Sequence, residues 1–393
     1  MSGKNILRHP KYKRLFTGRK KSLRVSWLGI FIVCWRLFSI AQTSSTFNVY
    51  LQIDYTSAEQ SIQLFEDQFV RTQALAELRG NRIAASTTGL IANRGAITRL
   101  LQSYLDSLRY HQRILDDVYN LDTARDNVAQ IKELLSRIQK SNFNQRIVAT
   151  VQQLFPQEDK PMNVTIPVYL VALGHDNVEA YVRRIVWNGD IPQFVGEGKG
   201  ELTIVVNLAQ SVRFHPNPDE RFYSLMSTVA HEVFHAAFGA YKDRSSAWKE
   251  YYAAHTHPFD ALMDLTQNEG IAYYLSLEEA GHGNLPRDWY ARTRAVFKTF
   301  NRNGHELLSD RLSPQRASEL LHDANLSGFW ENYGAMTGMF MAREIDQKLG
   351  RTSLIETISE GPTDFFRKYD SLTQQDSNLP GFEEVIISEI RSK

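Results

Sequence analysis

Apolar and polar residues recur along the chain with two different periods, and the switches between them mark its elements. From residue 47 to 54, Phe47, Val49, Leu51 and Ile53 alternate with polar or smaller neighbours, the period of a half-buried strand. Thr56-Ser57-Ala58-Glu59 then has the form of a capping box, and Ile62, Phe65 and Phe69 begin a helical stripe. The pattern predicts helices over about 57–79, 95–119, 123–139 and 143–154. Gly80, Gly89 and Gly95 are expected to break the first join, and Asp122 to cap the third helix. Pro156 to Pro161 is short, polar and bounded by prolines, which suggests a boundary.

Beyond it, Val164–Leu173 reads as a strand with its turn at Gly174-His175-Asp176-Asn177, and residues 196–200 as a loop. The clearest strand is Leu202-Thr203-Ile204-Val205-Val206-Asn207-Leu208. A helix is expected over Pro218–Phe238. Asn217 suits its cap, Pro218 its first turn, and Gly239 a left-handed stop. Phe222, Leu225, Met226, Val229 and Val233 line its apolar side. A second helix starts near Pro258 with Phe259, Leu262, Met263 and Leu265 on one side. Met336–Leu349 follows, ending at Gly350, and then helical stretches around Leu354–Ile358 and Pro362–Tyr369. The elements add up to a mainly helical α+β fold with a small mixed sheet. Residues 42–157 form a helix-rich region and 158–393 a domain built on the Pro218 helix.

With 393 residues, 42 % of them hydrophobic, the chain can bury a sizeable core. The net charge of +1 conceals an asymmetry. Residues 1–41 hold ten Lys or Arg and no acid, leaving 35 basic and 44 acidic residues in the remainder. That acidic body gives no reason to expect nucleic acid as a partner. The basic stretch Lys4–Arg24 precedes an apolar run, Val25–Trp35, and a small-x-small site at Ser39 and Ala41. This is the layout of an export signal cleaved after Ala41, which implies a periplasmic, extracellular or cell-surface protein. An uncleaved segment would be its one contact with a membrane, although the run is short of the about 20 apolar residues of a spanning helix. Cys34 is the only cysteine, so a mature chain has neither a disulfide framework nor a thiol nucleophile.

The chemistry lies on the Pro218 helix. His231-Glu232-Val233-Phe234-His235 sets two imidazoles four residues apart, so they share a face and can bind one zinc ion. Glu232, beside them, can act on a water molecule. A catalytic zinc takes three protein ligands and leaves one position open. The metzincin pattern would set Gly and His after the second His; Phe238 and Tyr241 stand there, which excludes it. His175, His215, His255 and His257 are other possible ligands, none with a partner at helical spacing. Asp264 and Glu269 both lie on the second helix, Glu269 within Asn268-Glu269-Gly270-Ile271-Ala272.

His231-Glu232-x-x-His235 followed by Asn268-Glu269-Gly270-x-Ala272 resembles the gluzincin group of zinc metallopeptidases. Over roughly residues 160–370 the chain is similar to bacterial proteins described as zinc-dependent peptidases. The resemblance implies a zincin-like catalytic domain with Glu269 as third zinc ligand ahead of Asp264. The 34 positions from His235 to Glu269 then hold an insertion relative to thermolysin-like members. It also implies that Leu202–Leu208 is a sheet-edge strand against which an extended peptide pairs. Tyr333, in Tyr333-Gly334-Ala335, would steady the tetrahedral intermediate. The chain has no G-x-M-E-N-like segment for a substrate's amino terminus, so the likeness does not extend to aminopeptidase specificity.

The expected function is zinc-dependent hydrolysis of peptide bonds in a peptide or protein substrate, with Glu232 as general base. Two alternatives stand beside it: an inactive zincin-fold scaffold, and a zinc hydrolase of a non-peptide amide or ester. The amino-terminal pattern makes a separate prediction. Amino-terminal sequencing of the exported protein should begin near Gln42, and a mature chain still starting at Met1 would contradict cleavage.

Overall fold

Alternation at the start of the chain forms β1 (Phe47–Asp54), which buries Phe47, Val49 and Leu51. The computed structural model describes residues 47–92, 98–157, 161–176, 178–196, 198–281, 285, 287–326 and 330–393. The leader expected over 1–41 and Gly95 lie outside them. With β2 (Met162–Val171), β3 (Ala180–Asn188), β4 (Ile191–Phe194) and β5 (Glu201–Asn207), β1 makes a mixed five-stranded sheet, ordered β1-β2-β5-β3-β4. β1, β2 and β5 are parallel, and β3 runs antiparallel to both β5 and β4. β1 pairs with β2 along its whole length, Phe47 opposite Met162 through Asp54 opposite Tyr169. The helix-rich 42–157 region and the 158–393 region therefore share one sheet.

β5 is not an edge strand. It lies between β2 and β3 with Thr203–Asn207 buried, and its unbroken apolar run is the mark of a strand covered on both faces. The open edge belongs to β3. β4 pairs with β3 only over Ile185–Asn188, and the Val195 N–H reaches the Arg184 carbonyl. Ahead of that point no described strand covers the outer side of β3. Its sequence, with Arg183 and Arg184 at half-buried positions, lacks the clean alternation that would have announced it.

The helices before β2 are α1 (Thr56–Phe65), α2 (Thr72–Glu77), α3 (Arg79–Ile91), α4 (Thr98–Arg109), α5 (Leu121–Asp126), α6 (Val128–Lys140) and α7 (Phe143–Gln152). The single helix expected over 57–79 is broken twice, after Phe65, where Asp67 takes a left-handed φ of 60°, and at the extended Leu78. Gly80 and Gly89 sit inside α3 instead of ending a helix. A Cβ on Gly80 would come within 3.1 Å of Val171 Cγ1, so this glycine lets α3 lie close on β2. α4 stops at Arg109, and the stretch to Leu121 carries His111, Asp116 and Asn120 at positive φ. Asp122 accepts from the Ile114 N–H in place of capping a helix.

After β5 come α8 (Leu208–Phe214), α9 (Pro218–Arg244), α10 (Ser246–Ala254), α11 (Pro258–Gly281), α12 (Trp289–Leu307), α13 (Pro314–Leu326), α14 (Tyr333–Leu349), α15 (Arg351–Glu360), α16 (Pro362–Gln375) and α17 (Glu384–Ser392). The Asn217 side chain caps α9, accepting from the N–H groups of Asp219 and Glu220 at 2.9 and 3.1 Å. Gly239 does not end this helix, which runs on to Arg244 and buries Tyr241 and Lys242. A Cβ there would meet Leu202 Cδ1 at 3.2 Å, so the residue serves close packing on β5. Arg184 pairs with Asp243 of α9 at 2.6 Å, whereas the Tyr181 hydroxyl meets Thr87 of α3. Residues 181 and 184 point to opposite faces, so α9 and α3 sandwich the sheet.

α9 also packs on α11, and α11 on α14. The second contact is backbone on backbone. A Cβ on Gly338 would lie 1.8 Å from the Thr266 carbonyl oxygen, and one on Gly270 2.4 Å from Gly338 Cα. No side-chain motion can relieve either clash. Gly338→Ala should therefore destabilise the fold by about 3 kcal/mol or more, at or beyond the upper end of ordinary overpacking. Gly381→Ala, with nothing within 4 Å, should change stability by less than about 0.5 kcal/mol. Urea unfolding of the two variants checks this, and equal midpoints would contradict the packing described.

Candidate metal centre

α9 is buried nearly all round where it crosses the sheet. Between Leu225 and Phe238 solvent reaches only Thr228, His231, Glu232 and His235; the remaining residues are buried. This wet stripe follows from spacing, because positions 228, 231, 232 and 235 fall on one face of a helix.

His231, His235 and Glu269 converge, with their ligating atoms all within 4.8 Å of one another. The two Nε2 atoms are 3.0 Å apart, and Glu269 Oε2 lies 3.3 Å from His235 Nε2 and 3.8 Å from His231 Nε2. α9 supplies the imidazoles, and α11, packed across it, supplies the carboxylate. Both ring nitrogens facing away from this point are engaged. His235 Nδ1 is 3.1 Å from Asn268 Oδ1. On His231 the ring N–H donates to the Ala272 carbonyl, with Ser276 Oγ 3.4 Å from Nδ1. Such partners fix the tautomer and turn Nε2 toward a metal. Glu269 in turn accepts from the Asn325 side chain.

The three groups are electrostatically coupled. Burial and the neighbouring His235 push His231 down to about 3. Burial opposes charge on His235, but Glu269 outweighs it and raises that imidazole. Burial likewise opposes the Glu269 carboxylate, and His235 outweighs it and holds the group low. One imidazole is thus held neutral and the other charged against an ionised carboxylate, so the three groups carry no net charge. Two nitrogens and one oxygen, each with an oriented lone pair, are the donor set of a catalytic zinc site.

Glu232, within electrostatic reach of His235 and Glu269, also meets the sheet. Its carboxylate accepts from the Val182 N–H on the open side of β3, with Arg183 near. Burial pushes it up to about 7, against the pull of His235 and Arg183. A carboxylate with its pKa in that range can both take and return a proton.

Tyr333 is not brought to the cluster. It is buried, and its hydroxyl donates to the Leu320 carbonyl at 2.8 Å in the packing of α12, α13 and α14. Tyr273 stands at the site instead, its ring edge-on to His231 with centroids 4.7 Å apart. It lies four residues after Glu269, a spacing that could have singled it out. The Asn268 contact was legible only as part of a motif. Val182, Arg183 and Asn325 carried no sequence signal for the site. Asp264 pairs with Lys242 and Tyr252, His215 bonds Ser224, and His255 bonds the Tyr251 carbonyl, so none of these joins the cluster.

A family model described as putative zinc dependent peptidase (DUF5700) matches residues 72–378, more than three quarters of the chain. No curated protein and no solved structure matches. The matched stretch contains every residue of the cluster.

The Asn268 contact yields a prediction. Asn268→Ala should leave the fold intact and weaken zinc binding about 10–100-fold, the usual effect of losing a partner that orients a ligand. Competition with a chromophoric chelator measures this, and an unchanged affinity would rule out the role given to Asn268.

Proposed function

We propose, from the premise that the chain belongs to this family of zinc-dependent peptidases, that it cleaves peptide bonds at a zinc held by His231, His235 and Glu269. The observation that carries the reading is the convergence of these three donors beside a half-buried Glu232. The order of ligands, with Glu269 in an Asn-Glu-Gly segment on a second helix, supports a gluzincin-type centre.

Bound zinc supplies Lewis acidity, polarising the scissile carbonyl and making water a stronger acid. The chain's own residues do the rest. Glu232 takes a proton from the attacking water as the new C–O bond forms. It then delivers that proton to the amide nitrogen as the C–N bond breaks, leaving an acid and an amine. The Val182 N–H holds the carboxylate in place between the two proton transfers. Tyr273, whose ring lies against His231, takes the role of oxyanion donor in this reading, since Tyr333 is committed to Leu320.

The open edge of β3 supports a peptide as substrate. An extended chain could lie along the outer side of β3 ahead of β4, beside the Val182 N–H that holds Glu232. This replaces β5 in the role its sequence suggested. We also propose that the protein acts outside the cytoplasm after cleavage at Ala41. Among the described residues no helix is long and apolar enough to cross a membrane.

Glu232→Gln should fold, keep about one zinc per chain and lose peptide hydrolysis about 10²–10⁴-fold. His235→Ala should lose the metal itself, and Glu269→Gln should weaken it. Zinc content and cleavage rates on a broad peptide library test all three. Equal cleavage by wild type and Glu232→Gln would contradict the mechanism. A zinc-loaded wild type that cleaves nothing would put the scaffold and non-peptide readings ahead.

A further inference from the structure

The fully buried carboxylates among the described residues each face a cation. Asp260 pairs with Lys393, Glu344 with Arg343 and Lys348, and Asp370 with Arg391; the half-buried Glu269 faces the two imidazoles. Glu179, just ahead of β3, has only hydroxyls. Thr228 Oγ1 donates to its Oε2 at 3.0 Å, and the Ser211 hydroxyl lies close by. Oε1 is shielded from bulk solvent and meets no donor in hydrogen-bond geometry. Burial accordingly raises the pKa of the group. A desolvated carboxylate without a counter-ion is costly to the fold, so its retention calls for a reason.

Its position supplies one. Thr228 is part of the wet stripe of α9, one helical turn before Glu232, about 6 Å along the axis. Glu179 is three residues before Val182, whose N–H holds Glu232. The Glu179 backbone is fixed as well, since its carbonyl accepts from the Asn207 N–H at 2.7 Å. Thr228 with Glu179, and Glu232 with Val182, are thus consecutive rungs between the same helix and the same strand. The contact between this helix and this strand thus runs from the metal cluster to a carboxyl group that has no counter-ion. Residues in an extended peptide are about 3.3 Å apart, so Glu179 faces a substrate group within about two residues of the scissile bond.

We infer that Glu179 is a specificity residue that receives an ammonium group of the substrate, either a lysine side chain or the free amino terminus. An ammonium offers three donors and the charge that the site lacks. The inference rests on the peptidase reading for the placement of the scissile bond but not for the existence of the subsite.

The test is binding to the zinc-loaded full chain carrying Glu232→Gln, measured by titration calorimetry. The probes are alanine pentapeptides in which lysine, norleucine or glutamate is moved through each position, with the amino terminus free or acetylated. One ammonium-bearing series should bind about 10- to 100-fold tighter than its neutral counterpart, the worth of a charged hydrogen bond. The lysine series identifies a side-chain subsite, and an effect of acetylation alone identifies the amino terminus. Glu179→Gln, which can still accept from Thr228, should abolish the preference, and Glu179→Asp should retain it in weaker form. No preference in the parent, or the same preference after Glu179→Gln, overturns the inference and makes Glu179 a structural carboxylate. If Glu179→Gln does not fold, the preference of the parent and of Glu179→Asp decides. Wild-type cleavage of the same peptides separates the two claims: selective binding without cleavage would sustain the subsite and remove the peptidase reading.

Discussion

The contact between α11 and α14 governs where the chemistry can happen. Glu269 comes to the imidazoles from a different helix, 34 positions further along the chain. Its reach is set by how α11 lies across α9, and α11 is clamped from behind by α14 at Gly270 and Gly338. The next residue before Gly270 is the carboxylate that faces His235 at 3.3 Å. A backbone approach that admits no Cβ leaves α11 almost no freedom to slide. Shifts of a few tenths of an ångström are large beside the tolerance of metal–ligand distances, about ±0.2 Å. Asn268, Glu269 and Gly270 thus carry three successive tasks: orienting one imidazole, facing the pair, and admitting the neighbouring helix.

The second constraint is dielectric. The cluster lies in a helix that is otherwise buried, between a sheet and a helical layer. Polar groups there cannot be left unmatched, and nearly all are matched by a specific neighbour. His235 has Asn268, His231 has the Ala272 carbonyl, and Glu232 has the Val182 N–H. The same surroundings that make these contacts strong make Glu232 a better base than an exposed glutamate and leave Glu179 without a counter-ion. Catalytic tuning and substrate preference would then have one physical origin.

Much of this was legible in the sequence. The mainly helical α+β class, β1, the central strand and the helix capped by Asn217 all follow from local periodicity and cap chemistry. The His pair and Glu232 were readable because helical spacing fixes their common face. Other features were hidden because they depend on distant partners. Gly239 looked like a helix stop, but its lack of a side chain serves close packing against Leu202. The run Ile204-Val205-Val206 signalled a strand without revealing which strands would flank it. β3 escaped notice because its half-exposed arginines blur the alternation. Tyr333 had the expected distance along the chain, yet the hydroxyl is turned to Leu320; sequence distance does not encode the direction of a side chain across a bundle. Glu179 resembled any other acidic residue until Thr228 and the open edge of β3 were placed beside it.

The central claim is that two imidazoles of α9 and one carboxylate of α11 hold the same zinc ion. Zinc K-edge X-ray absorption on the zinc-loaded full-length protein addresses it without reference to activity. The account predicts a first shell of nitrogen and oxygen alone at about 2.0–2.2 Å, with multiple scattering from two imidazole rings. Replacing Glu269 with Gln should alter the oxygen part of that shell and leave both rings in place. A shell with fewer than two imidazoles, or one unchanged by the substitution at Glu269, would contradict the account.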